Sequence, residues 1–543
     1  MRPNARWAVV ILPVLLSLAT GFSLPLKGSR VVGQLAIQHH GRLKPFDTFA
    51  RESLRSITGS ARLGAQDPVE TVLSIVAEPE RWQERPLIEV PFVPLREKLG
   101  MDRKATHVSY HQLVETRRLM RMLPAIVEKQ SREEKLSMLE QETMDVYERF
   151  VDLNSLLTQE LYLVPVPPGT EPTPTASWMP ILEPTGYSRD QQSAFQSRWG
   201  AFLDSLREGR PEAIEESARA LAWVLKSANP GAYPAPWRLH LEVFYNHLSP
   251  FKVAQLLYLL AAVGLLAGLV LRGGKILALG SVALWAGFLV HGAGIAMRVI
   301  LGGRPPVSNF YETMLWLPFV AVAISLIFER IYRARYFALA SSILAMIVLV
   351  LADVLPLEPH ISPVVAVLRS NLWLTIHVLT VVASYGALSL GVGLAHIYGW
   401  LVLVRGKNHP ALGSLDGFLY RALQVGVVLL ACGIMLGAVW ANASWGRYWG
   451  WDPKETWALI TLLWFLAILH GRFAGWLKGV SVALATMGGF FLLLMTYYGV
   501  SFYLVGLHSY AGGHAKPVPA LLIAYLIAEA AFMSLVGLKG TLR

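Results

Sequence analysis

Apolar residues fall along this chain in long blocks, and the polar stretches between them predict its architecture. A membrane-crossing helix needs ~20 mostly apolar residues. Ten stretches qualify: 7–24, then about 252–271, 276–297, 309–330, 336–355, 371–403, 417–440, 455–471, 477–505 and 518–538. Residues 27–248, between the first two, have the mixed pattern of a water-soluble domain. Within it, 104–163 is charged and mostly free of Gly and Pro, predicting one or two helices. Residues 164–186 are rich in Pro, Thr and Gly and predict a loop, and 187–227 turn helical again up to Asn229-Pro230. The expected fold class is all-α: a polytopic membrane protein of about 10 transmembrane helices, with a largely helical soluble domain between helices 1 and 2. The expected domains are an N-terminal membrane anchor or signal at 1–26, the soluble domain at 27–248, and a nine-helix membrane domain at 249–543.

Basic residues sort the connecting loops into two sets. Arg272 and Lys275, then Arg330, Arg333 and Arg335, then Arg405 and Lys407, Arg472 and Lys478, and Lys539 and Arg543 fall on one side. The alternate loops hold fewer: Arg298 and Arg304, Arg369, Arg447 and Lys454, and Lys516. Cytoplasmic loops collect Lys and Arg, so the first set is expected inside. A bacterial inner-membrane protein would then carry its soluble domain and the loops around residues 445 and 508 on the periplasmic side.

Composition narrows the classes. With 54% hydrophobic residues, the net charge of +11 is explained by span-end bases and anionic lipid, so nucleic acid is not the expected partner. Cys432 is the one cysteine, which excludes an internal disulfide, a Cys-x-x-Cys redox site and a c-type heme attachment site.

The densest chemistry is Trp445-Gly-Arg-Tyr-Trp-Gly-Trp-Asp-Pro-Lys-Glu-Thr-Trp457, with four tryptophans, two acids and two bases in 13 residues. Interfacial aromatic belts are sparser than this. Flat indoles beside fixed charges suit a large flat ligand with charged edges, such as a porphyrin with two propionates. A re-entrant loop that only anchors two helices is the plainer alternative. Asp452-Pro453-Lys454-Glu455 also reads as a helix start, so part of the motif is capping chemistry. Arg447 and Lys454 suit either propionates or lipid phosphate. Asn309 and Glu312 begin another span with an Asn-x-x-Glu cap pattern.

The tryptophan motif resembles the signature of the heme-handling proteins of cytochrome c maturation, in particular the CcsA-type subunit of the system II cytochrome c synthase. Pro306-Val-Ser-Asn-Phe-Tyr-Glu312 is similar to that family's Ser-Asn-x-Tyr-Glu element, and Gly506-Leu-His-Ser-Tyr510 to its last periplasmic histidine segment. The resemblance covers roughly residues 252–538; in the soluble domain, only Gly41-Arg-Leu-Lys-Pro-Phe-Asp-Thr-Phe-Ala-Arg51 faintly resembles a segment of extended relatives.

Intramembrane histidines are costly and often functional. His377, just inside one span, and His508, just past another, lie at the level of the tryptophan motif, and paired neutral imidazoles are good axial ligands for heme iron. The resemblance implies that these two ligate heme b above a platform of Trp445, Trp449, Trp451, Asp452 and Trp457. It also implies that His470 ligates heme at a second, inner position. There the family uses a further histidine from a CcsB/ResB-like portion, for which this chain has no counterpart. A separate CcsB-like subunit is one source of that ligand, and His396, at the same depth as His470, is another. His291 lies nearer the outer face and reads as a packing or network residue.

The reaction implied is thioether attachment of heme to a Cys-x-x-Cys-His apocytochrome c, with the thiols kept reduced by a thiol-reducing partner. No nucleophile comes from this chain, so its contribution would be positioning. A heme transporter or channel without ligation chemistry, a di-heme electron-transfer subunit and a purely structural assembly factor are the competing readings.

Overall fold

The computed structural model describes residues 27–170, 178–355, 357, 359–362, 371–508 and 519–541. They divide into two compact units, one ending at Leu248 and the other beginning at Ser249.

The N-terminal unit is largely helical, but it also holds two small antiparallel two-stranded sheets that the periodicity did not predict. Strands β1 (Ala36–His39) and β2 (Arg42–Pro45) pair in the register Ala36↔Pro45 to His39↔Arg42. Their turn is His40-Gly41, with φ of 49° and 72°. Two successive positive φ values match the right-handed twist of paired strands, which is why a two-residue loop suffices. Strand β3 (Pro86–Glu89) pairs with β4 (His107–Ser109) across a bulge. Strands this short, carrying Lys, Arg and Pro, leave little alternation to read.

Stretch 104–163 forms three helices, Tyr110–Thr116, Arg118–Ser131 and Met138–Leu157, rather than one or two. Ser137 starts the longest with a reciprocal cap to Glu140. Stretch 187–227 forms Arg189–Glu208 and Pro211–Ala228, split where Gly209 takes a φ of 69° and Pro211 restarts the helix. Trp199, Phe202, Leu153, Val72 and Leu54 are fully buried in the shared core, each worth ~1.5–3 kcal/mol of apolar transfer.

The segment Gly41–Arg51 has a structural explanation. Arg42 grips Glu242 through two hydrogen bonds of 2.8 and 2.6 Å, and Thr48 donates to the same carboxylate. Asp47 accepts from Arg51 and from Asn246, and Lys44 pairs with Glu52. This network fastens the hairpin and the Phe46–Thr58 helix to the Pro236–Leu248 helix.

Nine helices among the described residues are long and apolar enough to cross a membrane. They run in Pro250–Leu271, Gly274–Gly302, Phe310–Tyr332, Tyr336–Val354, Thr375–Arg405, Ala411–Trp445, Pro453–Phe473, Val480–Tyr503 and Ala520–Gly540. They coincide with nine of the ten expected spans; the first, 7–24, lies outside the described residues. Thr375–Arg405 is the most deeply packed, with 67% of its apolar window buried against 11% for the last span, so it forms the axis of the bundle.

Glycines set the closest helix approaches. On Ala411–Trp445, a Cβ at Gly426 would meet Leu388 at 2.6 Å, one at Gly433 would meet Val381 at 2.5 Å, and one at Gly437 would meet the His377 ring at 2.6 Å. The three share one face at helical spacing, a small-residue stripe of the kind that lets helices touch in lipid.

Candidate functional site at one end of the bundle

The tryptophan motif is the turn between two spans. Helix Ala411–Trp445 stops at Gly446, φ 72°, and the next helix starts at Asp452, whose carboxylate caps it while Glu455 reaches back to the Asp452 N–H. The Glu455 carboxylate also accepts the Gly450 N–H at 2.8 Å. The capping expected for Asp452 to Glu455 is therefore present, and it folds the loop tightly enough to hold Trp451 at a φ of 56°.

Asp452 does more than cap. Its Oδ1 accepts the Lys454 N–H at 2.9 Å and the His508 Nδ1–H at 2.8 Å, and its Oδ2 accepts the Leu507 N–H at 2.6 Å. Burial pushes this carboxyl upward, but the His508 ring and the two N–H groups outweigh it and hold it at about 2. Gly506 permits the approach: a Cβ there would lie 2.4 Å from Oδ2.

His377 sits in a π-helical turn, Leu374–Val378, at the head of the axial helix. Such turns are rare and cluster at functional sites. Its Nδ1 donates to the Gly433 carbonyl at 2.9 Å, reached because Gly437 has no side chain.

Both imidazoles adjoin Trp440. The Trp440 ring is 6.1 Å from His377, nearly parallel, and 5.9 Å from His508. Trp445 lies edge-on to both Trp440, at 4.7 Å, and His508, at 5.2 Å. Trp373 packs on the same cluster. Trp440 is only 4% exposed, and its Nε1–H has no hydrogen-bond partner among the described residues. A buried donor left unmatched costs ~1–3 kcal/mol, so it marks a place where a polar group of a ligand would be welcome.

With Nδ1 of each histidine facing an acceptor, the lone pair of each ring falls on Nε2. Metal-ligating histidines are oriented this way, by a carbonyl or carboxylate behind the ring. The donor set thus fits a metalloporphyrin: two imidazoles with lone pairs on the distal nitrogen, indole faces, and an unmatched buried N–H.

The other expected residues are distributed unevenly. Trp449 and Trp451 meet edge-on at 5.8 Å on the loop surface, with Trp451 70% exposed. Arg447 folds over Gly450, its guanidinium filling the position a Cβ would take. Trp457 is half-buried in the following helix, where its carbonyl accepts from Thr496.

Lys454 turns away from the loop surface. Its Nζ donates to the Tyr497 carbonyl at 3.2 Å and to Ser501 Oγ at 2.8 Å. Tyr497 lies in a second π-helical turn, Met495–Gly499, whose wider spacing leaves that carbonyl open to an outside donor.

Asn309 caps the Glu312 N–H at 2.8 Å, and Glu312 is buried in an ion pair with Arg298 at 2.9 Å. Phe310 stacks on Tyr497 at 4.7 Å and Thr313 bonds its hydroxyl, tying this element to the π turn.

His470 and His396 lie elsewhere. His470 is exposed near the far end of Pro453–Phe473, with Nδ1 on the Leu466 carbonyl. His396 is 19 residues along the axial helix from His377, ~28 Å at 1.5 Å per residue. Both its nitrogens are engaged, Nδ1 with the Val392 carbonyl and Nε2 with Glu529 at 2.9 Å. His291 is fully buried beside Tyr258, Phe251 and Phe319. His360 is half-buried, and His514 lies outside the described residues.

Trp440, Trp373 and Gly437 were not singled out from the sequence, and Gly506 was quoted only as the start of the His508 segment. Trp440 stands in an apolar run, where an indole reads as core. The spacing Gly433, Gly437, Trp440 does put all three on one helix face and was the available signal.

Residues 307–508 match the family model for the cytochrome C assembly protein. The chain is 31% identical over 517 residues to Protein NrfI of Wolinella succinogenes, covering 90% of this chain and 55% of that protein, so it spans about half of NrfI's length. It is 37% identical over 243 residues to the cytochrome c biogenesis protein CcsA of Prochlorococcus marinus, covering 39% of this chain and 77% of that protein. With CcsA of Microcystis aeruginosa the identity is 34% over 289 residues, 43% of this chain and 87% of the relative. On these matches, the chain belongs to the cytochrome c assembly protein family, with CcsA and NrfI.

Proposed function

We propose that this chain presents heme b for attachment to apocytochrome c, holding the iron with His377 and His508 beside the Trp440–Trp445 cluster. The observation that carries the reading is the matched preparation of the two rings: each is pinned through Nδ1, one by a carboxylate and one by a carbonyl, and both rest against one indole with an unmatched N–H. Outer partners of this kind fix ring orientation and raise ligand basicity.

The chemistry belongs to the substrates. In each attachment a thiol of the Cys-x-x-Cys-His segment adds across a heme vinyl group: sulfur bonds the inner vinyl carbon, the proton ends on the outer one, and no electrons are gained or lost. The chain's contribution is register. His377 and His508 fix the iron, Trp445 and Trp440 support the macrocycle, and the half-buried Trp449 with the exposed Trp451 forms the rim that an apocytochrome meets. Asp452 holds His508, and Arg447 is the candidate base for a propionate. His470, at the other end of its helix, is proposed as an inner heme ligand completed by a CcsB-like subunit. The proposed setting is the bacterial inner membrane, with the tryptophan loop and the N-terminal unit on the periplasmic side and a thiol-reducing partner keeping the apocytochrome cysteines reduced.

The test is co-expression with a Cys-x-x-Cys-His reporter, with and without a CcsB-like subunit. Covalent heme on the reporter, lost in His377→Ala and His508→Ala, is the expected result. Heme reaching the far side without thioether product would favour the transporter reading, and unchanged low-spin heme in both variants would remove the two histidines from the site.

A further inference from the structure

A second cluster of ligating side chains lies wholly within the N-terminal unit. His39 closes β1 and His40 opens the turn to β2; their rings stack at 3.8 Å. Asp152, from the Met138–Leu157 helix, joins them, and one ligand atom from each of the three lies within 4.8 Å of the others. We infer that His39, His40 and Asp152 bind a borderline divalent transition metal, with zinc as the type case.

Three features support this. The first is donor chemistry: two imidazoles and one carboxylate are a set that zinc takes, leaving a fourth position for water. The second is the turn. His40 adopts a φ of 49° at a position where Asn or Gly is the usual choice, so its imidazole is kept at a conformational cost. The third is positioning behind the ligands. Ser56 donates to Asp152 at 2.5 Å, and Phe49 packs edge-on against His39 at 5.0 Å, so two of the three side chains are already held. Zinc–nitrogen bonds of ~2.1 Å need ligand atoms ~3.4 Å apart. The three ligand atoms, within 4.8 Å of one another, would draw together on binding, with His40 the exposed member of the set. Its exposure also gives the ion a way in.

A bound ion would join the β1–β2 turn to the Met138–Leu157 helix, 112 residues later in the chain (152 − 40). The inference is independent of the heme proposal, and its test is built to stay so. The full-length chain is purified in detergent carrying His377→Ala and His508→Ala, which removes those imidazoles as competing ligands. Zinc is titrated by equilibrium dialysis, and cobalt(II) by its visible absorption. His40→Asn is the main variant, because Asn suits the turn and keeps the fold while deleting the imidazole; Asp152→Asn preserves side-chain shape. The expected result is one equivalent of zinc in the parent, weakened at least tenfold in each variant, with a zinc-dependent rise in the parent's melting temperature that both variants lose. Equal zinc stoichiometry and affinity in parent and variants would overturn the site, as would variants that melt differently without metal yet bind zinc like the parent.

Discussion

His508 donates from Nδ1 to Oδ1 of Asp452 across 2.8 Å, and Asp452 is also the residue that starts the helix after the tryptophan loop. One carboxylate therefore orients an imidazole and caps a span. Asp452→Asn separates these roles, since Asn caps about as well as Asp. The helix should persist, since the cap survives the change. Heme affinity, read by absorbance titration in detergent, should fall by ~10–100-fold.

The pH dependence of that contact follows from the same residue. Its carboxyl is held at about 2 in the folded chain, below the usual 3.8. A depressed acid contributes stability that is fully present above its unfolded value and is lost as pH falls through the folded one. The Asp452 contribution should thus be lost as pH falls from ~4 to ~2. Thermal melts of parent and Asp452→Asn across that window should converge only at its acid end.

Gly437→Ala should displace the His377 ring, because its Cβ would meet Cε1 at 2.6 Å and the ring is fixed to Gly433. Low-spin heme should be lost while the protein remains inserted and folded. Gly413→Ala on the same helix meets nothing within 4 Å and should bind heme normally.

Lys454→Met tests whether this lysine joins helices or meets a ligand. It removes the donor to the Tyr497 carbonyl and Ser501, so unfolding stability should drop by ~1–3 kcal/mol. Heme affinity should change much less. A large loss of affinity at unchanged melting temperature would return Lys454 to the propionates.

Glu312 and Arg298, 3% and 2% exposed, should fail asymmetrically. Glu312→Gln leaves Arg298 buried without its counter-charge, expected to cost ~3–5 kcal/mol. The double variant Arg298→Met, Glu312→Leu should recover much of that, and a double-mutant cycle on membrane-inserted yield or melting temperature measures the coupling.

The spans were legible because a 20-residue apolar block has few alternatives, whereas the N-terminal unit's strands were not, because four-residue strands such as Arg42–Pro45 have no pattern long enough to show. At the site, His377, His508, Trp445 and Asp452 stood out as polar or aromatic residues near span ends, and the structure brings these four together. Trp440 did not stand out, because an indole inside a span looks like packing until its partners are known. The two π turns were invisible for a similar reason: the residues around Tyr497 suit an α-helix equally well, and the donor that meets the turn's carbonyl is a lysine 43 positions away. Lys454 itself was read by its charge and loop position, and the direction it takes depends on that distant carbonyl.

The clasp from Asp452 to Leu507 and His508 closes a loop of chain that contains two antiparallel spans and their connection. Each residue in a helix turns it by ~100°. Adding or deleting one residue in either span would swing the far side of the clasp out of reach unless its neighbour changed length to match. The lengths of Pro453–Phe473 and Val480–Tyr503 are therefore not independent, and length changes in relatives of this fold should be confined to the turn that joins them or occur in compensating pairs.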